Sequence, residues 1–567
     1  MRVFACAVVI MTFGLVGQAQ VQNYVSVTDA ELENPDPADW LNWRRTLDGW
    51  GYSTLDQIDR TNVGDLQLAW SWGLEQGISQ TTPLVHDGIM YVANPGNVVQ
   101  ALDARTGNFI WEHRREMDER LRPGAQMRSL AIYQDLIILN TVDAHIVGLD
   151  ARTGEVRWDT PVMPDHEGYG FSSGPVVADG VIVAGLRGCQ RFREETCYIV
   201  GLNARTGQII WKTSTVARPG ERGGDTWGDL PVLFRAGSDA WIPGSYDPVS
   251  GLVYYGTSQA KPWTREARGT DGDALYSNST LALDPATGEM KWYYQHLPGD
   301  SHDMDETFER ILVDYDGRQS VFTMGKLGIL WELDRVTGSF VNAIDLGYQN
   351  ILDVSTETGE VTYRDGMVVG VFEELYFCPS TGGFKSLRAM SYHPSAGAMY
   401  IPLNLHCETA EFLPVEMRDG GGGEGGVRER QNHFHPDSPD QLGEFHALDI
   451  RTGETLWKNR RRAPYNTAAL TTAGGLVFVG DWDRHIFAYD TDTGETRWES
   501  RLTTMANGYP ITYAVDGTQY VAFVAGSPLG GASWAATVPN DLLPELRNPR
   551  NAGNAIFVFA LPEEGPE

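Results

Sequence analysis

The chain has 567 residues, of which 42% are hydrophobic and 21% charged, a globular balance that excludes a disordered polymer. Its net charge of −31 argues against nucleic acid or an anionic membrane surface as partner. The charge suits steering of a basic protein, and a merely solvated acidic surface accounts for it equally well.

The first 19 residues read as an export signal: Arg2, an apolar run from Val3 to Val16, then small residues from Gly17 to Ala19. The run is short for a bilayer span, and no second stretch is apolar enough to be an integral membrane segment. The expectation is a soluble periplasmic protein of one domain over residues 20–567. Removal of the signal takes Cys6 with it and leaves Cys189, Cys197, Cys378 and Cys407. An even set suits an oxidising compartment. Close spacing favours Cys189–Cys197 and Cys378–Cys407, although four cysteines admit three pairings and free thiols are the competing reading.

One phrase then recurs along the chain. ALDARTG ends at Gly107, GLDARTG at Gly154, GLNARTG at Gly207, ALDPATG at Gly288, ELDRVTG at Gly338, ALDIRTG at Gly453 and AYDTDTG at Gly494. A Trp follows four residues later in all copies except that at Gly338. Each copy reads as strand, turn and strand: Asp and Thr satisfy turn backbone groups, and Gly takes a positive φ. The Trp returns to the core between neighbouring sheets. The shorter spacings match the roughly 40–50 residues of a four-stranded blade. Seven copies and one hidden copy predict an all-β, eight-bladed β-propeller of four-stranded antiparallel blades. The long gaps from Gly207 to Gly288 and from Gly338 to Gly453 leave room for loops and a degenerate blade. The strand at Ala555 to Leu561 is expected to pair near Leu66 to Trp72 and close the ring. The run DGGGGEGG, Asp419 to Gly426, reads as a mobile loop tip.

Together with WLNWRRTLDGWGYSTLDQIDRTNVGDLQLAWSW near the start, these repeats resemble the quinoprotein alcohol dehydrogenases of the methanol and ethanol dehydrogenase family. The resemblance covers essentially the whole mature chain. It implies bound pyrroloquinoline quinone (PQQ), one calcium or lanthanide ion, and oxidation of a primary or secondary alcohol. Its most specific segment is LPGDSHDMDE, Leu297 to Glu306, which places Asp303 as the catalytic base. Asp305 matches an extra carboxylate of the lanthanide-using members. Alternate residues of an extended segment face one way, so Asp303 and Asp305 can share one ion. Added carboxylates favour a trivalent cation. The competing reading is an acidic surface loop.

The resemblance also implies a stacking Trp at Trp241, and quinone contacts from Gln80, Arg128 and Lys326, with Lys326 beside the reactive carbonyl. Lys385, also implied to be a cofactor contact, stands where the family often has Asn. Several departures stand out. The paired cysteines expected before Arg128 are replaced by MDERLRPGAQ. The metal-binding Glu falls near Gln190 and the metal-binding Asn on Gln259, which makes these two amides metal ligands by resemblance, with Asp305, or else Glu194 or Glu195, as the candidate for the missing charge. No C-x-x-C-H haem site occurs, which implies a separate c-type cytochrome as electron acceptor. The rival readings are a non-catalytic propeller scaffold and a PQQ-dependent sugar or polyol dehydrogenase.

Overall fold

A computed structural model describes residues 20–119, 121, 126–163, 168–526, 534–546 and 553–562; the expected signal segment lies outside them. Among the described residues, seven antiparallel four-stranded sheets span 84–114, 131–161, 176–214, 245–295, 311–345, 391–461 and a last one built from both chain ends, and the sheet over 470–501 gains a fifth strand, Tyr52–Ser53, parallel to Leu470–Thr472. Innermost strands of neighbouring sheets touch: Ala131–Tyr133 meets Val176–Ala178, which meets Ser245–Asp247, which meets Ile311–Tyr315. Burial falls outward across each sheet. Leu136–Asn140 is buried at every position, whereas Val156–Pro161 on the rim has none buried. A strand covered on both faces must be apolar throughout, which is why LIILN shows no polar alternation.

The repeated phrase builds one turn seven times. In the first copy Asp103 Oδ1 accepts from Thr106 N at 2.8 Å and Thr106 Oγ1 at 2.9 Å. Gly107, at φ 72°, donates its N–H to Asp103 O at 2.8 Å. Each Trp then crosses to the next blade. A Cβ on Gly154 would stand 2.5 Å from Trp111, whose indole N–H donates to Ala151 O at 3.1 Å. The same arrangement joins Trp70 to Gly107, Trp211 to Gly288, Trp292 to Gly338 and Trp457 to Gly494. Where the phrase at Gly338 lacks its Trp, Ile344 reaches Gly453 instead, with a Cβ there 3.3 Å from Ile344 Cδ1.

No hidden eighth copy exists among the described residues. In the last blade the third and fourth strands are Ala555–Ala560 and Gln67–Gly73, paired antiparallel with Leu68 opposite Phe559. They come from opposite ends of the chain, so no turn can join them, and the ring closes as expected. The long gaps hold no degenerate blade either. The second carries a hairpin (Leu352–Val354, Val361–Tyr363) and a three-stranded sheet (Glu374–Phe377, His406–Phe412, Val427–Phe434).

The glycine run is docked rather than free. Gly423 N donates to Gln190 O at 2.8 Å, Phe192 N to Gly421 O at 3.1 Å, and Trp263 N to Glu424 O at 2.9 Å. Among the described residues no helix is long and apolar enough to cross a membrane.

Comparison of two glycines isolates the inter-blade contact. Gly251 also has a positive φ, 68°, but nothing lies within 4 Å of its Cβ position. Gly251→Ala is expected to cost about 1–2 kcal/mol for the left-handed backbone alone. Gly154→Ala adds overpacking against Trp111, about 1–3 kcal/mol more. Urea unfolding of the two variants measures the difference, and equal losses would remove the Trp contact from the account.

Candidate functional site

One end of the ring is lined by the segments that lead into the innermost strands. Gln80 stands ahead of Leu84, Arg128 ahead of Ala131, Ser172 ahead of Val176, Trp241 ahead of Ser245, Arg388 ahead of Ser391 and Asn466 ahead of Leu470, each by three or four residues. The turns that follow second strands arrive at the same end, since adjacent strands are antiparallel; they bring Gln190, Lys326 and His406. Together these enclose a cavity of about 420 Å³. Of the residues singled out from sequence, Gln80, Arg128, Gln190, Trp241, Asp303, Asp305 and Lys326 all line it.

The acidic segment is buried, which excludes a surface loop: Asp303 is 8% exposed and Asp305 7%. Asp300 holds its shape by accepting from His302 N at 3.0 Å and Met304 N at 2.9 Å. Asp303 takes a left-handed φ of 64°, a conformation non-glycine residues adopt where surrounding contacts impose it. The segment is therefore not a regular extended strand, yet both carboxylates converge. Lys326 Nζ stands 3.0 Å from Asp303 Oδ2 and 3.0 Å from Asp305 Oδ2, and it also donates to Asp303 O at 2.7 Å. Gln259 completes the cluster: its Nε2 donates to Asp303 Oδ1 and its backbone N to Asp305 Oδ1 at 3.3 Å. Gln259 Oε1 is buried without a partner.

Electrostatics follow from this crowding. Burial, with the negative charge of Asp305, holds the Asp303 carboxyl well above the ordinary range despite the nearby Lys326 ammonium. Burial also works against that ammonium, but Asp303 and Asp305 outweigh it and raise its pKa above the usual lysine value.

On another part of the wall, Trp241 packs edge-on against Phe308 at 5.6 Å, and the Arg128 guanidinium lies 5.0 Å from the indole ring. Arg128 donates to Gln80 Oε1 at 3.0 Å and to Ser172 Oγ at 2.6 Å. Burial lowers its pKa to about 10.

Lys385, expected among the cofactor contacts, does not line the cavity. It is fully buried, and its Nζ stands 2.6 Å from Glu309 Oε2, so its charge is spent inside the wall. Glu194 and Glu195 do not reach the cavity either; Glu195 Oε1 accepts from Tyr198 OH at 2.7 Å. The carboxylate that does arrive beside Gln190 is Glu424, carried by the docked glycine run. Both expected disulfide pairs are present. Cys189–Cys197 closes the loop bearing Gln190, and Cys378–Cys407 ties Thr381 and Gly382 to the strand of His406. Sequence reasoning missed Ser172, Arg388, Asn404, His406, Asn466 and Glu424. The repeat register, counted back from each innermost strand, was the available signal for Ser172, Arg388 and Asn466.

Comparison with known proteins gives the family. The family model of the glucose/ethanol/alcohol dehydrogenase PQQ β-propeller domain matches residues 40–357 and 458–521. The chain is 29% identical to the quinoprotein alcohol dehydrogenase PedH of Pseudomonas putida, over 99% of this chain and 97% of that protein. It is 32% identical to the quinohemoprotein alcohol dehydrogenase ADH-IIG of Pseudomonas putida, over 88% of this chain and 73% of the relative. A solved europium-containing methanol dehydrogenase superposes with a TM-score of 0.85 at 26% identity, covering 94% of this chain and 99% of that one. This chain belongs to the PQQ-dependent glucose/ethanol/alcohol dehydrogenase β-propeller family.

Proposed function

We propose that this protein uses PQQ and one bound metal cation to oxidise a primary or secondary alcohol to the aldehyde or ketone. The observation that carries this reading is the convergence of Asp303, Asp305 and Lys326 in the same cavity as Trp241, with Gln259 bonded to both carboxylates from outside the cavity lining.

The residues present fit both groups. A planar quinone bearing carboxylates suits an indole wall with a buried guanidinium beside it, and Trp241 with Arg128, Gln80 and Ser172 supplies that wall. A hard cation suits oxygen donors, which Asp303, Asp305, Gln259 and Gln190 supply, with Glu424 adding charge that Gln190 lacks. The partnerless Gln259 Oε1 and the raised Asp303 pKa both mark a place that positive charge would relieve. Calcium or a lanthanide satisfies this set, and Asp305 favours the lanthanide. When bound, PQQ supplies the hydride-accepting carbonyl and the metal polarises it.

The chain's own residues do the rest. Asp303 accepts the substrate hydroxyl proton as general base. Lys326 holds a fixed ammonium against Asp303 and Asp305, so charge that develops in the cavity meets a preorganised cation. Burial keeps water from competing for these groups. In this reading the electrons leave to a separate periplasmic c-type cytochrome.

Asp303→Asn is expected to lower kcat by about 10²–10⁴-fold or more, while PQQ still binds. Steady-state dye reduction and quinone absorbance read the two effects separately, and retained turnover would remove Asp303 from the role. Lys326→Met leaves two buried carboxylates without their ammonium, which costs about 3–5 kcal/mol in metal-free protein. Calcium or lanthanum restores part of that loss in urea unfolding. No loss in the metal-free state would mean that the two carboxylates do not both carry charge there.

A further inference from the structure

The cavity contains a second polar cluster that the chemistry above leaves unused. Arg388, Asn404 and His406 line it together with Asp303 and Trp241. Arg388 is 8% exposed, and its Nη2 donates to Phe384 O at 3.3 Å. Its Nε is buried with no partner, and no carboxylate pairs with it among the described residues. Three of the four acids that line the cavity are already engaged, Asp303 and Asp305 with Lys326 and Asp239 with Lys261 at 3.0 Å, and the fourth, Glu424, arrives on the glycine run beside Gln190. Burial lowers the Arg388 pKa to about 10, so the guanidinium is charged at neutral pH. Asn404 Oδ1 and His406 Nδ1 are likewise buried without partners. Burial, with the charge of Arg388, lowers the His406 pKa to about 3, so its ring is neutral.

This cluster is built rather than incidental. Asn404 N donates to Phe384 O at 2.7 Å, Ser380 N to His406 O at 3.1 Å, and the Cys378–Cys407 disulfide joins the two segments. Beside it the cavity wall is apolar, formed by Leu387, Leu442, Val538 and Pro539. A buried guanidinium with no counter-charge is costly unless a ligand supplies one. In the reading above the cofactor's acidic groups are served by a different cation, Arg128, which lies beside Trp241 on another segment.

We propose that Arg388, with Asn404 and His406, receives a carboxylate carried by the alcohol substrate, so that the preferred substrates are hydroxy acids. The carbinol lies at Asp303, the carboxylate at Arg388 and an apolar spacer runs along Leu387, Leu442 and Val538. This rests on the dehydrogenase reading above and narrows its substrate class.

The test compares ω-hydroxyhexanoate with n-hexanol on PQQ- and metal-loaded wild type, Arg388→Gln and Arg388→Lys, with PQQ affinity followed by tryptophan fluorescence. Wild type is expected to prefer the hydroxy acid in kcat/KM. Arg388→Gln should reduce that preference about 10–100-fold, as loss of one charged hydrogen bond does, mainly through KM. Arg388→Lys should recover part of it, and the PQQ Kd should stay as in wild type. No preference in the wild type overturns the proposal. So does a weakened PQQ Kd with equal losses on both alcohols, which would assign Arg388 to the cofactor. Wild type that binds PQQ yet turns over neither alcohol overturns this proposal and counts against the dehydrogenase reading as well.

Discussion

Most blades lean on the next through an indole packed against a glycine that has no room for a side chain, and the ring depends on that contact. It sits between the third and fourth strands, toward the rim, while innermost strands touch at the centre. Contacts at both radii set the wedge angle between sheets. The last wedge is closed by pairing Gln67–Gly73 with Ala555–Ala560, which removes the edges an open sheet would expose. Once the ring is closed, the segments entering the innermost strands must meet on one axis. Residues as far apart in sequence as Gln80 and Asn466 thereby share a cavity.

That cavity concentrates charge where water is scarce. Asp303, Asp305 and Lys326 interact far more strongly there than at a surface, and the arrangement tolerates little error. Asp300 fixes the acidic segment, Gln259 fixes Asp303, and the Cys189–Cys197 loop fixes Gln190. Rigidity is what a positioning site requires: the redox chemistry belongs to the cofactor, and the protein contributes orientation and field.

The blades were legible because each local turn repeats the same chemistry: Asp for the backbone donors, Thr beside it, Gly at positive φ. The eighth was legible only through its closing strand pair, and the hidden copy of the phrase expected for it is missing because its third and fourth strands lie at opposite ends of the chain and share no turn. Asp303, Asp305, Lys326 and Trp241 were legible only because their segments resemble the family's; residue types and spacing alone left an acidic loop and one more core Trp as alternatives. In GGFKSLRAMSYHP, two cations stand three residues apart, and only packing decides which one faces the cavity. Arg388 does, while Lys385 turns to Glu309. Glu424 was illegible for another reason. Its glycine run has the composition of a flexible tip, and the backbone bonds that dock it onto Gln190 leave no side-chain signature.

The most direct test of the account is titration of metal-free, cofactor-free protein with PQQ in the presence of calcium and, separately, lanthanum. Quinone absorbance and tryptophan quenching would be followed in wild type and in Trp241→Leu. The account predicts saturable PQQ binding that needs a metal, is tighter with lanthanum, and loses most of its quenching in Trp241→Leu. Absence of PQQ binding with either metal, or binding indifferent to both the metal and Trp241, would contradict it.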